Sequence, residues 1–230
     1  MIPLSDASRR PVHFPVITTL IIIVNVVVFL LELAGGGAFV IQWSLVPANI
    51  AAGRSLITIL TSMFMHAGLM HIAGNMLFLW VFGPEIEDVM GRGRYLVFYL
   101  LGGLSATLAQ VIADPASTVP NLGASGAIAA VMGAFLVTYP RDKIRTVLLL
   151  GWFTRVAFIP AIVLVGLWFL IQLFNGVGAL SAAGAQGGSG VAYMAHVGGF
   201  IFGAVLARLF ERPERIAEQK RRVENSRDPE

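Results

Sequence analysis

A serine at position 125 and a histidine 71 residues further on, at 196, are the pair in this chain best suited to chemistry. A hydroxyl beside an imidazole is the smallest unit for nucleophilic acyl transfer: the ring takes the proton while the oxygen attacks a carbonyl. Ser125 opens an apolar run in Asn121-Leu-Gly-Ala-Ser-Gly-Ala127, and His196 lies inside another, Tyr193-Met-Ala-His-Val-Gly-Gly-Phe200. An ionisable side chain at membrane depth is costly, which marks it as a candidate for function.

Each motif also has a plainer reading. Gly123 and Gly126 flank Ser125 and let backbones approach closely, and a helix starting there offers free N–H groups to an oxyanion. The same small residues also suit helix packing in membranes. His196, Gly199 and Gly203 follow i, i+3, i+7 and share a helix face. Ser125, Ala129 and Gly133 make a matching stripe, so two smooth faces bring ring and hydroxyl together. A histidine bonded to a neighbouring carbonyl is the alternative. A third cluster, His66-Ala-Gly-Leu-Met-His71-Ile-Ala-Gly-Asn75, stacks His71 and Asn75 four residues apart as converging donors. Three histidines raise the question of a metal, but no intramembrane carboxylate joins them and H-E-x-x-H is missing. No metal and no cofactor are expected.

The elements that must position these groups follow from composition. The chain has 57% hydrophobic and 13% charged residues, which excludes an ordinary soluble domain. Without cysteine it has no disulfide, thiolate metal site or cysteine nucleophile. Six apolar segments can be drawn, near Val16–Leu33, His66–Phe82, Tyr95–Ile112, Ser125–Tyr139, Ala157–Phe174 and Ala192–Phe210. The first exceeds a signal-peptide core and reads as a retained span. Trp43, Pro47 and Arg54 interrupt the pattern from Phe39 to Met63, which predicts an amphipathic or re-entrant element. The uncharged Gly176–Gly190 stretch reads as a mobile outer loop. Residues 1–15 and 211–230 are expected as cytoplasmic tails around a six-span domain at 16–210.

Charge predicts the orientation. Of the sixteen Lys and Arg, Arg54 alone falls on one side of this arrangement and fifteen on the other. The positive-inside rule then puts both termini in the cytoplasm. The net +3 charge is therefore a topology signal, and no nucleic-acid partner is expected. Ser125 and His196 fall at similar depth toward the opposite face. Glu32 and Asp114 have no spacing that makes a third triad member. Glu85, Glu87 and Asp88 read as solvated charges ending the second span.

Taken together, His66-x4-His71-x3-Asn75, Gly123-Ala-Ser125-Gly126 and Ala195-His196-x-Gly-Gly199-x3-Gly203 resemble the rhomboid family of intramembrane serine proteases. The resemblance covers nearly the whole chain, in order. It implies an all-α membrane protein, a compact six-transmembrane-helix bundle with the short serine helix near its centre. It also implies Ser125 as nucleophile, His196 as base and then acid, and an oxyanion hole of His71, Asn75 and the Ser125 N–H. His66 would support the loops above the site; Gly199 and Gly203 would let the serine and histidine helices pack. The implied partners are single-span transmembrane substrates and the lipid bilayer, in a bacterial cytoplasmic (inner) membrane; the oligomeric state is not readable. The substrate would enter past the fifth span, at Leu164–Phe169. Many members carry a Trp-Arg pair in the first outer loop, whereas here Arg54 is followed by Ser55. The chain resembles the minimal six-span form. The other classes that fit are a non-catalytic rhomboid-like binder of membrane helices and a histidine-based proton-relay transporter.

Overall fold

The computed structural model describes residues 1–150, 153–182 and 192–227. In chain order the elements are β1 (Ile2–Asp6), α1 (Val16–Trp43), α2 (Pro47–Ala51), α3 (Thr58–Thr61), a 3₁₀ turn at Ser62–Phe64 and α4 (Leu69–Met90). There follow α5 (Arg92–Ala113), α6 (Ser125–Thr138), β2 (Lys143–Leu150), β3 (Phe153–Pro160), α7 (Ala161–Ala182), α8 (Tyr193–Phe210) and α9 (Pro213–Arg227). Helices α1, α4, α5, α7 and α8 are long and apolar enough to cross a bilayer. With the shorter α6 they form the six-helix membrane bundle that the sequence implies, and the chain is an integral membrane protein.

Helix α6 is the centre. Every residue from Gly126 to Phe135 is buried, which small side chains permit because neighbouring helices can close around a thin cylinder. Its 14 residues rise only about 21 Å, which makes it shorter than the five spanning helices around it. The outer helices turn apolar faces outward instead: Leu30 of α1, Phe174 of α7 and Leu209 of α8 are 58%, 73% and 74% exposed. Such a surface is stable only in lipid.

At the end of the bundle opposite Ser125 lies a three-stranded antiparallel sheet, in the order β1-β2-β3. Ile2 pairs with Val147 and Asp6 with Ile144, while Lys143 pairs with Pro160. The cause is a period-two pattern in β2: Ile144 and Thr146 are fully buried while Lys143 and Arg145 point outward. The expected start of the fifth span at Ala157 is therefore corrected. Residues 157–160 are strand, and the helix starts at Ala161. Apolar residues of an amphipathic hairpin there abut a true span and extend its hydropathy. The expected outer loop at Gly176–Gly190 is corrected in part as well, since 176–182 continue α7; its remainder, 183–190, lies outside the described residues.

The carboxylates of α4 are a further correction. Glu85, Glu87 and Asp88 are 5%, 3% and 3% exposed, not solvated. Glu87 accepts the Ile17 and Thr18 amides at 2.9 and 2.8 Å and the Thr18 hydroxyl at 2.8 Å. Asp88 accepts the Val12 and His13 amides at 2.8 and 3.2 Å. Free N–H groups at and before the start of α1 need acceptors, and α1 has no side-chain cap of its own. Both terminal segments pack on this anchor: α9 lies against α4, where the Gln219 amide donates to Asp88 at 2.6 Å.

Candidate active site

Ser125 is the first residue of α6 and follows a loop that bends at Gly123. Gly123 has φ +140°, and its amide donates to the Ser62 carbonyl at 2.9 Å. A side chain here would be strained, and its Cβ would also meet the His71 ring at 3.0 Å. The bend needs glycine for both reasons. Ala124 precedes the helix without any side-chain cap, so the first turn of α6 presents free amides where charge would develop on a bound carbonyl.

His196 comes from the first turn of α8, and its Nε2 lies 2.6 Å from the Ser125 Oγ. This closeness is made by glycine. A Cβ on Gly199 would overlap the Gly126 carbonyl oxygen, and one on Gly203 would overlap that of Ala130. The α6 face that meets α8 is thus Gly126, Ala130 and Gly133. The stripe drawn from sequence starts one residue earlier, at Ser125 and Ala129. Ser125 itself is left free to reach sideways to the ring.

His71 stands across the Gly123 bend from Ser125, lining with it and His196 a cavity of about 630 Å³. Ala67 donates its amide to His71 Nδ1 at 3.3 Å. That nitrogen is then the lone-pair one, and Nε2 carries the proton as a donor. Asn75, one turn along α4, is buried, and its Nδ2 has no hydrogen-bond partner. The cavity is large enough to hold several waters, which hydrolysis requires.

His66 is fully enclosed at 2% exposure and sits edge-on to His71 with ring centroids 5.2 Å apart. Its backbone amide donates to the Glu32 carboxylate at 3.0 and 3.1 Å. Glu32 therefore ties this loop to α1 and does not contact His196. The region from Phe39 to Met63 folds as the end of α1, two short helices and the 3₁₀ turn, which fits the interrupted pattern. The Leu45–Asn121 bridge joins it to the loop before Ser125. Among the described residues, no three His, Asp or Glu converge to hold a metal ion.

One site residue is absent from the sequence reading. Gln172 of α7 places its Oε1 2.8 Å from His196 Nδ1, and Trp168, one turn earlier, faces the same ring with centroids 5.7 Å apart. The signal was a carboxamide inside an otherwise apolar span, four residues after a tryptophan.

The fold and site define a polytopic membrane protein with a Ser–His pair enclosed within its helix bundle. A family model described as Rhomboid domain matches residues 53–213, and the chain belongs to the rhomboid family. It is 33% identical over 126 residues to Rhomboid protease GluP of Bacillus subtilis, a match spanning 53% of this chain and 24% of that protein. It is 31% identical over 126 residues to the mitochondrial Rhomboid protein 1 of Saccharomyces cerevisiae, spanning 53% and 36%. Over 92 residues it is 33% identical to the human mitochondrial presenilin-associated rhomboid-like protein, spanning 39% and 24%. The matches thus cover between 24% and 36% of the length of these relatives. Membership makes the chain a rhomboid-like intramembrane protease or an inactive relative of one.

Proposed function

We propose that this chain is an active serine-type intramembrane endopeptidase that cleaves single-span transmembrane proteins. The observation that carries the reading is the 2.6 Å approach of Ser125 Oγ to His196 Nε2 beside a cavity of about 630 Å³. A non-catalytic binder has no need of that pair.

In the reaction, Ser125 Oγ attacks the scissile carbonyl carbon while His196 Nε2 takes the hydroxyl proton. The tetrahedral oxyanion is met by the Ser125 N–H, the His71 Nε2–H and the Asn75 amide. His196 then gives its proton to the leaving nitrogen, the C–N bond breaks, and the acyl-enzyme remains. Water, deprotonated by the same ring, releases the acid and regenerates the hydroxyl. A substrate helix hides its carbonyls in hydrogen bonds, so its scissile segment must unwind first. It enters past α7, at Leu164–Phe169.

The fifteen basic residues on the sheet side of the bundle support an orientation with both termini in the cytoplasm and Ser125 toward the opposite face. A bacterial cytoplasmic membrane is the expected site. The test is cleavage of a model transmembrane substrate in proteoliposomes, with fluorophosphonate labelling of the serine. Product and label are expected from wild type and neither from Ser125→Ala. Equal cleavage by both proteins would overturn the reading, and substrate capture without product would favour the binder.

A further inference from the structure

We propose that Gln172 is a positioning residue for His196, serving as the third, uncharged member of a Ser125–His196–Gln172 relay. The inference rests on the protease reading and deepens it.

A histidine acts as base toward serine only if the nitrogen facing the hydroxyl carries the lone pair, and the partner of its other nitrogen decides this. Gln172 faces that other nitrogen. Its Oε1 lies 2.8 Å from Nδ1, and its Nε2 lies 3.4 Å from the Trp168 carbonyl oxygen. A carbonyl can only accept, so it draws the amide nitrogen to itself and turns the amide oxygen toward the ring. Nδ1 is then the protonated nitrogen, and Nε2 is left as the acceptor for the Ser125 hydroxyl. The reversed amide would place NH₂ against Nδ1, move the ring proton to Nε2 and remove the base. The Trp168 ring limits tilting from the same helix. Both supports stand four residues apart on one face of α7.

An amide suits this depth better than a carboxylate. Gln172 is 8% exposed, and neither α6 nor α7 carries any charged residue. On α5 the charged residues are Arg92 and Arg94, at the opposite end. The titratable group facing the same cavity is His71 of α4. An ionised carboxylate here would have no cation to pair with until the His196 ring itself is protonated, whereas the amide fixes the tautomer without charge. Because the support rides on α7, separating α7 from α8 would also withdraw it from the base.

Gln172→Leu and Gln172→Glu test the proposal in proteoliposomes, with Ser125→Ala in parallel. Leucine fills the space but cannot accept, so kcat should fall about 10- to 100-fold with KM nearly unchanged, as for the loss of groups that orient a catalytic side chain. Glutamate keeps an acceptor and adds charge beside the ring. It should retain more activity than leucine and move the acid limb of the pH–rate profile upward by about one unit. A Gln172→Leu enzyme with wild-type kcat would overturn the proposal. So would a Gln172→Glu acid limb that stays in place, even should the leucine variant fail to fold. Loss of activity in Ser125→Ala alongside either result leaves the protease reading standing and removes only the relay.

Discussion

Gly199 of α8 lies directly on the carbonyl oxygen of Gly126 of α6, with no room for a methyl group between them. That contact sets the distance between the two helices at the turn below Ser125 and His196. In Gly199→Val the helices must separate. Overpacking of this kind costs about 1–3 kcal/mol, and a displacement of about 1 Å at the reacting groups costs roughly 100-fold in rate. Cleavage should therefore fall on the order of 100-fold, with a lower Tm. Gly93→Ala on α5, where a Cβ meets nothing within 4 Å, is the neutral control. Equal effects of the two would show that the glycine contact does not position the pair.

The two donors on α4 give a different signature. Neither touches the Ser–His bond, and each is expected to act only once charge appears on the substrate oxygen. His71→Ala and Asn75→Ala should each lower kcat by roughly 10²- to 10³-fold while substrate binding stays near wild type. Single-turnover cleavage and fluorophosphonate labelling rates check this. A change in KM alone would assign these residues to substrate binding.

The Glu87 carboxylate binds the first turn of α1 from within α4. Removing it strands two amides and a hydroxyl in a buried place, a loss on the order of 3 kcal/mol. Glu87→Ala should lower Tm by several degrees in detergent, followed by tryptophan fluorescence, with little direct effect on the chemistry. Glu87→Gln keeps one acceptor oxygen and should fall between the two. An unchanged Tm in both would mean that α1 holds without this anchor.

Much of the site was legible because its parts repeat with a helical period. His196, Gly199 and Gly203 share a face whatever surrounds them, and His71 and Asn75 stack by the same rule. Helix type and order followed from runs of apolar residues in the same way. The sheet was not legible because Phe153–Pro160 is short, mixes apolar with basic residues and adjoins a span, so hydropathy merges the two. Gln172 was missed because its partner is fixed by how α7 turns against α8, which no local pattern states. Glu87 and Asp88 were misread since charges at a span end are usually solvated; only the chain folding back over them reveals the amides they accept.

The sheet end carries its own pH signature. Burial pushes the Asp6 carboxyl up from 3.8 to about 7, with the nearby Asp142 adding to the rise and the Ser8 amide and Arg9 opposing it. The folded protein therefore holds this proton to higher pH than the unfolded chain. Below the unfolded value both states are protonated and the group contributes no difference. As pH rises from about 4 to about 7, unfolding releases a proton, so stability declines through that window and levels off above it. Asp6→Asn removes the effect while keeping an oxygen to accept the Ser8 amide, now made to Asp6 Oδ1 at 2.7 Å. The variant should match wild type in Tm near pH 4 and exceed it increasingly toward pH 8. Parallel Tm–pH curves for the two proteins would show that Asp6 ionises in the folded state as it does in the unfolded one.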